Sequence, residues 1–238
     1  MGGLRRAGAR AGGGAVVGFP LTEVSGQTAA LVGPEPPPDG RRVAALVRPG
    51  DRALVLASAQ DDAVADHAAL RAGAWSLARR RSGGGALVIV PGAQVWLDVF
   101  VPAGDPLALA DVAAGAYFLG ALWREALALS GVRGELAWHR GGVERSPFAR
   151  VACFAALGPG EVTLDGRKVV GCAQRRTREG TWLHTMALLE NHQGELVRLL
   201  ALPPPEQEAL AAALAGVGVV DVSPGALEQA LAGLLAAR

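Results

Sequence analysis

Hydrophobic positions along this chain change period several times. Residues 52–57 (RALVLA) form a short continuous apolar run bounded by polar residues, which predicts a buried strand. Residues 61–77 then carry Ala and Leu at roughly helical spacing, so a strand–helix pair is expected. The apolar runs 86–90 and 95–101 flank Pro91-Gly92 and predict a hairpin-like pair of strands. Between 111 and 130, Ala114, Phe118, Ala121, Leu122 and Leu129 share one face of an amphipathic helix that ends near Gly131.

After Arg150 the pattern returns to strands, at 151–155, 161–164, 168–173 and 182–189. Gly158-Pro159-Gly160 and Asp165-Gly166 are the turns, the second a strong hairpin signal. Pro203, Pro204 and Pro205 open a helix over 206–214, and a last helix spans about 224–235. Residues 1–42 are Gly-, Arg- and Pro-rich and read as an irregular arm. The division expected is therefore arm 1–42, main domain 43–202 and helical tail 203–238. Strands interspersed with helices, without strict βαβ alternation or an internal repeat, predict an α+β fold with mixed or antiparallel sheets.

Composition adds three constraints. Half of the 238 residues are hydrophobic, enough for a sizeable core. The formal charge of +1 offers no broad electrostatic footprint for nucleic acid, and no apolar run is long enough for a membrane span, so neither partner is expected. Two cysteines, Cys153 and Cys172, and a glycine-rich start without a secretory core point to the cytoplasm.

The basic residues are 22 arginines and a single lysine, Lys168. A coding bias can leave one residual lysine; a tight site for a carbonyl or phosphate oxygen can also require a compact ammonium where a guanidinium will not fit. The run Arg79-Arg80-Arg81-Ser82-Gly83-Gly84-Gly85-Ala86 precedes an apolar strand. It is either a flexible link or a loop whose amides approach an anion closely. It lacks the Gly-Lys-Ser/Thr ending of a Walker loop and the GxGxxG spacing. In the second motif, Leu164-Asp165-Gly166-Arg167-Lys168-Val169-Val170-Gly171-Cys172-Ala173-Gln174, a tight turn puts Lys168 just inside a strand. Period-2 alternation would set Lys168, Val170 and Cys172 on one face, and Gly171 marks a close approach.

This pair of motifs, in this order, resembles the catalytic domain of the lipoate-protein ligases and their relatives the lipoyl/octanoyl transferases, over about residues 54–189. The resemblance implies a biotin/lipoate-ligase-like fold. It implies attachment of a lipoyl or octanoyl group to a lysine of lipoyl carrier domains, such as those of 2-oxoacid dehydrogenases or the glycine cleavage H protein, with ATP and Mg²⁺ serving an acyl-adenylate route and no protein-bound metal. On it, Arg80, Ser82, Gly83, Gly84, Gly85 and Ala86 would cradle the acyl-adenylate, Gln60 and Gly171 would lie in the site, and Lys168 would contact the acyl carbonyl or phosphate. His184 falls where the family often has His-Gly-Ser/Thr, and a structural histidine is the more ordinary reading. Departures from the pattern are Val88-Ile89-Val90-Pro91 where an aromatic or aliphatic residue, His and Asp usually follow the glycines, and a tail of only about thirty-five residues where ligases generally need an accessory domain or protein. Cysteine-dependent octanoyl transferases of the superfamily carry Cys-Phe fifteen positions before the motif lysine, the spacing of Cys153-Phe154 from Lys168. Cys153 would then be a nucleophile and ATP dispensable; otherwise it is a small apolar core residue. A non-catalytic lipoate- or carrier-binding relative is the remaining alternative.

Overall fold

The computed structural model describes residues 18–238. In chain order its strands are β1 (Leu21–Gly26), β2 (Val43–Pro49), β3 (Ala53–Leu56), β4 (Ser76–Arg79), β5 (Leu87–Ile89), β6 (Gln94–Pro102), β7 (Leu136–Trp138), β8 (Val162–Leu164), β9 (Arg167–Arg176) and β10 (Gly180–Leu188). The helices are α1 (Thr28–Leu31), α2 (His67–Ala72), α3 (Ala114–Leu129), α4 (Leu196–Leu199), α5 (Pro204–Ala215) and α6 (Pro224–Ala236). Seven strands form one sheet in the order β1-β2-β6-β10-β9-β8-β7, parallel only at β1–β2. The other three form a small sheet, β4-β3-β5, parallel between β3 and β4. The α+β class with mixed sheets read from the pattern is the class observed.

Alternation along the central strands divides the interior in two. Val95, Leu97, Val99, Leu183 and Ala187 face α3 and α6, where Trp123 donates to Thr185 Oγ1 (2.8 Å) and that hydroxyl donates to the Leu97 carbonyl (2.8 Å). On the opposite face, Val47, Trp96, Met186 and Leu188 pack against the small sheet and against α4 and α5. Helix α3 lies close to the 158–161 turn because both contact positions are glycine. A Cβ on Gly160 (φ +78°) would sit 2.5 Å from the Ala116 carbonyl oxygen, and one on Gly120 2.8 Å from that of Gly160. This contact fixes the backbone just before Glu161.

Several expectations need correction. The runs 86–90 and 95–101 are not a hairpin: β5 pairs with β3 in the small sheet while β6 runs through the large one. Residues 61–77 hold a 3₁₀ turn at Asp62–Val64, the short α2 capped by Asp66, and β4, with Ala74 at φ +52° ending the helical path. The expected strand 151–155 is a single bridge, Ala86 to Ala152, followed by a 3₁₀ turn at Cys153–Ala155. Of the supposed arm, residues 1–17 lie outside the described residues, and β1 is an edge strand of the large sheet rather than irregular chain. Helices α5 and α6 bury Leu210, Leu214, Leu227, Leu231 and Leu235 in the two cores.

Candidate active site

The hairpin at Asp165-Gly166 forms as expected, with both residues at positive φ, and brings Lys168 opposite Thr163. A bulge then intervenes: Val162 pairs with Val170 and Thr163 with Lys168, so Val169 is an extra residue in β9. The bulge breaks the expected alternation. Val170 joins the core beneath α3, whereas Lys168 and Gly171 both meet the ring of Phe154; Lys168 Nζ lies 4.9 Å from its centroid, and a Cβ on Gly171 would come within 3.0 Å of it.

Lys168 is 7% exposed, and its ammonium donates to the carbonyls of Cys153 (2.7 Å) and Ala156 (2.8 Å) and pairs with Glu161 Oε2 at 2.6 Å. Glu161, 4% exposed, also accepts from Gly158 N (2.7 Å) and Cys172 N (3.0 Å). A buried lysine is tolerable only with such a partner. Sequence reasoning missed Glu161. Its signal was an acid at the head of an apolar strand, across a hairpin from the chain's one lysine, but the bulge and the turn that aim it inward are not legible as spacing.

Of the three successive arginines only Arg80 turns inward; Arg79 pairs with Asp62 and Arg81 with Glu35. Arg80 is 6% exposed, donates to the Gly85 carbonyl (2.8 Å) and to Ser82 Oγ (3.4 Å), and keeps a buried Nε with no partner. The glycines differ. A Cβ on Gly85 would be 2.5 Å from the Ala152 nitrogen, Gly84 sits at φ +106°, and Gly83 has nothing within 4 Å. Ala86 exchanges backbone hydrogen bonds with Val151 (2.9 Å) and Cys153 (2.8 Å), anchoring the turn that carries Cys153. Gln60 lines neither cavity described next: its side chain accepts from Ala57 N (2.9 Å) and donates to the carbonyls of Arg150 and Val151 (3.2 and 3.3 Å), holding that same segment in place.

Two cavities meet here. One, with about 440 Å³ of empty space, runs between the sheets and is walled by Val55, Leu87, Ile89, Trp96, Phe154 and Met186. The other, about 820 Å³ and open to solvent, is lined by Gly83, Gly84, Gly85, Glu161, Lys168 and Gln174. Arg80, Cys153, Cys172 and Ala173 line both. Over the open cleft, the 110–112 loop is held by Gln174 Nε2 donating to Val112 O (2.7 Å) and Arg176 donating to the carbonyls of Ala110 and Asp111 (2.9 and 3.0 Å). Burial, and then the Glu161 carboxylate, push the Cys172 thiol well up, which makes it a poor nucleophile. Among the described residues, no group of three or more His, Cys, Asp or Glu could hold a metal ion, and no helix is long and apolar enough to cross a membrane.

An apolar slot between the sheets thus adjoins a polar, glycine-lined cleft that carries the buried lysine, an arrangement of the kind that binds small molecules. The family profile of the lipoyl protein ligase A/B catalytic domain matches residues 41–223, and the chain belongs to that family of ligases and transferases. Among solved structures, a bi-partite lipoate protein ligase from Thermoplasma acidophilum, studied with its E2 lipoyl domain, is 15% identical with a TM-score of 0.65, over 92% of this chain and 82% of that one. A second, a putative lipoate protein ligase from T. acidophilum with bound lipoic acid, gives 16% and 0.65 over 90% and 82%. A lipoate-protein ligase A bound with ATP gives 17% and 0.64 over 90% and 82%. At these identities the likeness establishes the fold. No curated protein matches the chain at a significant level.

Proposed function

We propose that this protein is a cytoplasmic lipoate-protein ligase that attaches a lipoyl or octanoyl group, through an acyl-adenylate, to a lysine of lipoyl carrier domains. The observation that carries the reading is the junction itself: the apolar slot meets the glycine-lined cleft at Arg80, Cys153, Cys172 and Ala173, with Lys168 on the cleft side. The related structures with lipoic acid and with ATP support both halves of it.

ATP would supply an activated leaving group for the acyl carboxylate, its Mg²⁺ arriving with the phosphates. The cleft suits an anion, since Arg80 keeps an unpartnered Nε beside the glycine loop. Arg80, with the amides of Gly83 and Gly84, would take the phosphate side. Lys168 would turn from one of its two carbonyl acceptors to the acyl oxygen, stabilising the charge that develops there as the carrier lysine attacks. Glu161 holds the ammonium in position and balances its charge throughout. Water is kept from the acyl chain by the two sheets.

A second reading rests on one observation, the position of Cys153 where the two cavities join, its own carbonyl accepting from Lys168. A Cys153 thiolate there would attack an acyl thioester, expel the donor thiol and hold the acyl group until the carrier lysine displaces it. One experiment separates the two: mass spectrometry of a carrier domain incubated with the protein plus lipoate and ATP, or with octanoyl carrier protein and no ATP. Acylation in the first mixture, retained in Cys153→Ser, is expected. Acylation confined to the second, and abolished in Cys153→Ser, would replace the ligase by the transferase.

A further inference from the structure

Two loops border the open cleft, one after β6 and one after β7, and they carry three of the six large apolar side chains that stand exposed among the described residues. Leu109 (46%) and Val112 (56%) are on the first, Val143 (65%) on the second, and both valines line the cleft. A lone exposed valine is ordinary; three large apolar side chains gathered on the loops of one cleft mark a contact surface. The backbone that presents them is tied down. Gln174 and Arg176 hold the carbonyls of residues 110–112, while in the second loop His139 N donates to Glu161 O (2.9 Å), Glu144 N to Leu157 O (2.8 Å) and Ser146 Oγ to Ala155 O (3.0 Å). Such a surface meets a partner at little ordering cost.

Charge narrows the kind of partner. Residues 139–150 hold Arg140, Arg145 and Arg150, all exposed, against one acid, Glu144, whose carboxylate lies 3.9 Å from His139 Nδ1. Arg140 lies over the Trp138 ring at 4.2 Å, and none of the three arginines is in an ion pair among the described residues. Unpaired arginines at an opening favour a partner that brings carboxylates. Reach then selects the occupant. A lysine to be acylated beside the buried Lys168 extends only roughly 6 Å from its own backbone, so the protein that bears it must come down onto these loops. A nucleotide would fill the cleft without needing Leu109 or Arg145, which line neither cavity.

Resting on the acyl-transfer reading above, we propose that these two loops are the docking surface for the carrier domain, with Leu109, Val112 and Val143 packing beside its target lysine and Arg140, Arg145 and Arg150 meeting carboxylates around it. The test is steady-state acylation of an unlipoylated lipoyl domain of a 2-oxoacid dehydrogenase by the full chain, with lipoate and ATP or, on the cysteine route, an octanoyl thioester. Leu109→Asp and Arg145→Glu should each raise KM for the carrier by about fivefold to thirtyfold, with kcat at saturating carrier and KM for the donor unchanged. Arg145→Lys should restore most of the affinity. A carrier whose carboxylates nearest the target lysine are replaced by amides should bind the wild type less well and be indifferent to Arg145→Glu. Thermal melting checks that each variant is folded. A carrier KM unchanged in both variants, or a rise confined to KM for ATP or for the thioester, overturns the docking surface and leaves the acyl-transfer reading standing. Absence of acylation by the wild type with either donor overturns both.

Discussion

Removing the Glu161 charge while keeping its shape isolates the central electrostatic feature of the site. In Glu161→Gln the Lys168 ammonium, 7% exposed, keeps its two carbonyl acceptors but loses the one opposite charge it contacts among the described residues, at 2.6 Å. Leaving one member of a buried pair uncompensated costs about 3–5 kcal/mol. At about 2–4 °C per kcal/mol for a chain of this size, the melting temperature should fall by roughly 6–20 °C. Urea unfolding of the wild type, Glu161→Gln, Lys168→Met and the double variant forms a cycle in which the double variant should be more stable than either single one predicts, because it leaves no unpaired charge. A Glu161→Gln loss below about 1 kcal/mol, or a cycle that is additive, would refute the claim that the two charges depend on each other.

Lys168→Arg should abolish acyl transfer with the fold retained, because the wider guanidinium cannot reproduce three short contacts inside the Cys153–Glu161 turn; carrier acylation within a few-fold of wild type would contradict it. Gly85→Ala should destabilise by about 1–3 kcal/mol in chemical unfolding, since its Cβ would overlap the Ala152 backbone, while Gly83→Ala, with open space around it, should be close to neutral. Arg42, hydrogen-bonded in bidentate fashion, holds the Asp105 carboxyl below its ordinary range. A lowered folded-state value contributes stability that is present above the unfolded value, about 3.9, and lost as pH falls through the folded one. Asp105→Asn should therefore weaken the protein at neutral pH and flatten the loss of stability below about pH 4, as followed by thermal melting against pH.

The parts of the fold that the sequence announced are those decided locally. The Asp165-Gly166 hairpin, the amphipathic α3 and the proline-opened α5 and α6 each carry their own turn chemistry or periodicity. Where tertiary contacts decide, local reading failed. Residues 86–90 and 95–101 look like a hairpin because only a Pro-Gly turn separates them, yet each finds its partner elsewhere, in β3 and in β2 and β10. Residues 151–155 have strand composition, but Gly85 brings the chain so close at Ala152 that a single bridge forms and the backbone then coils to aim Cys153 and Phe154 at the slot. At the candidate site, the two motifs singled out Lys168 and the glycine loop, which line one cleft. Arg80's inward turn, the clamp made by Gln60 and the Glu161 partner all depend on distant backbone, and period-2 counting across β9 was defeated by one bulged residue.

The most direct test of the account is the half-reaction at the junction itself, in which pre-formed lipoyl-adenylate is supplied with a carrier domain and no ATP, and the carrier is weighed by mass spectrometry. The wild type and Cys153→Ser should both transfer the lipoyl group to the carrier lysine, and Lys168→Arg should not. Absence of transfer from the adenylate, together with a hydroxylamine-sensitive acyl adduct on Cys153 when an octanoyl thioester is supplied instead, would contradict it.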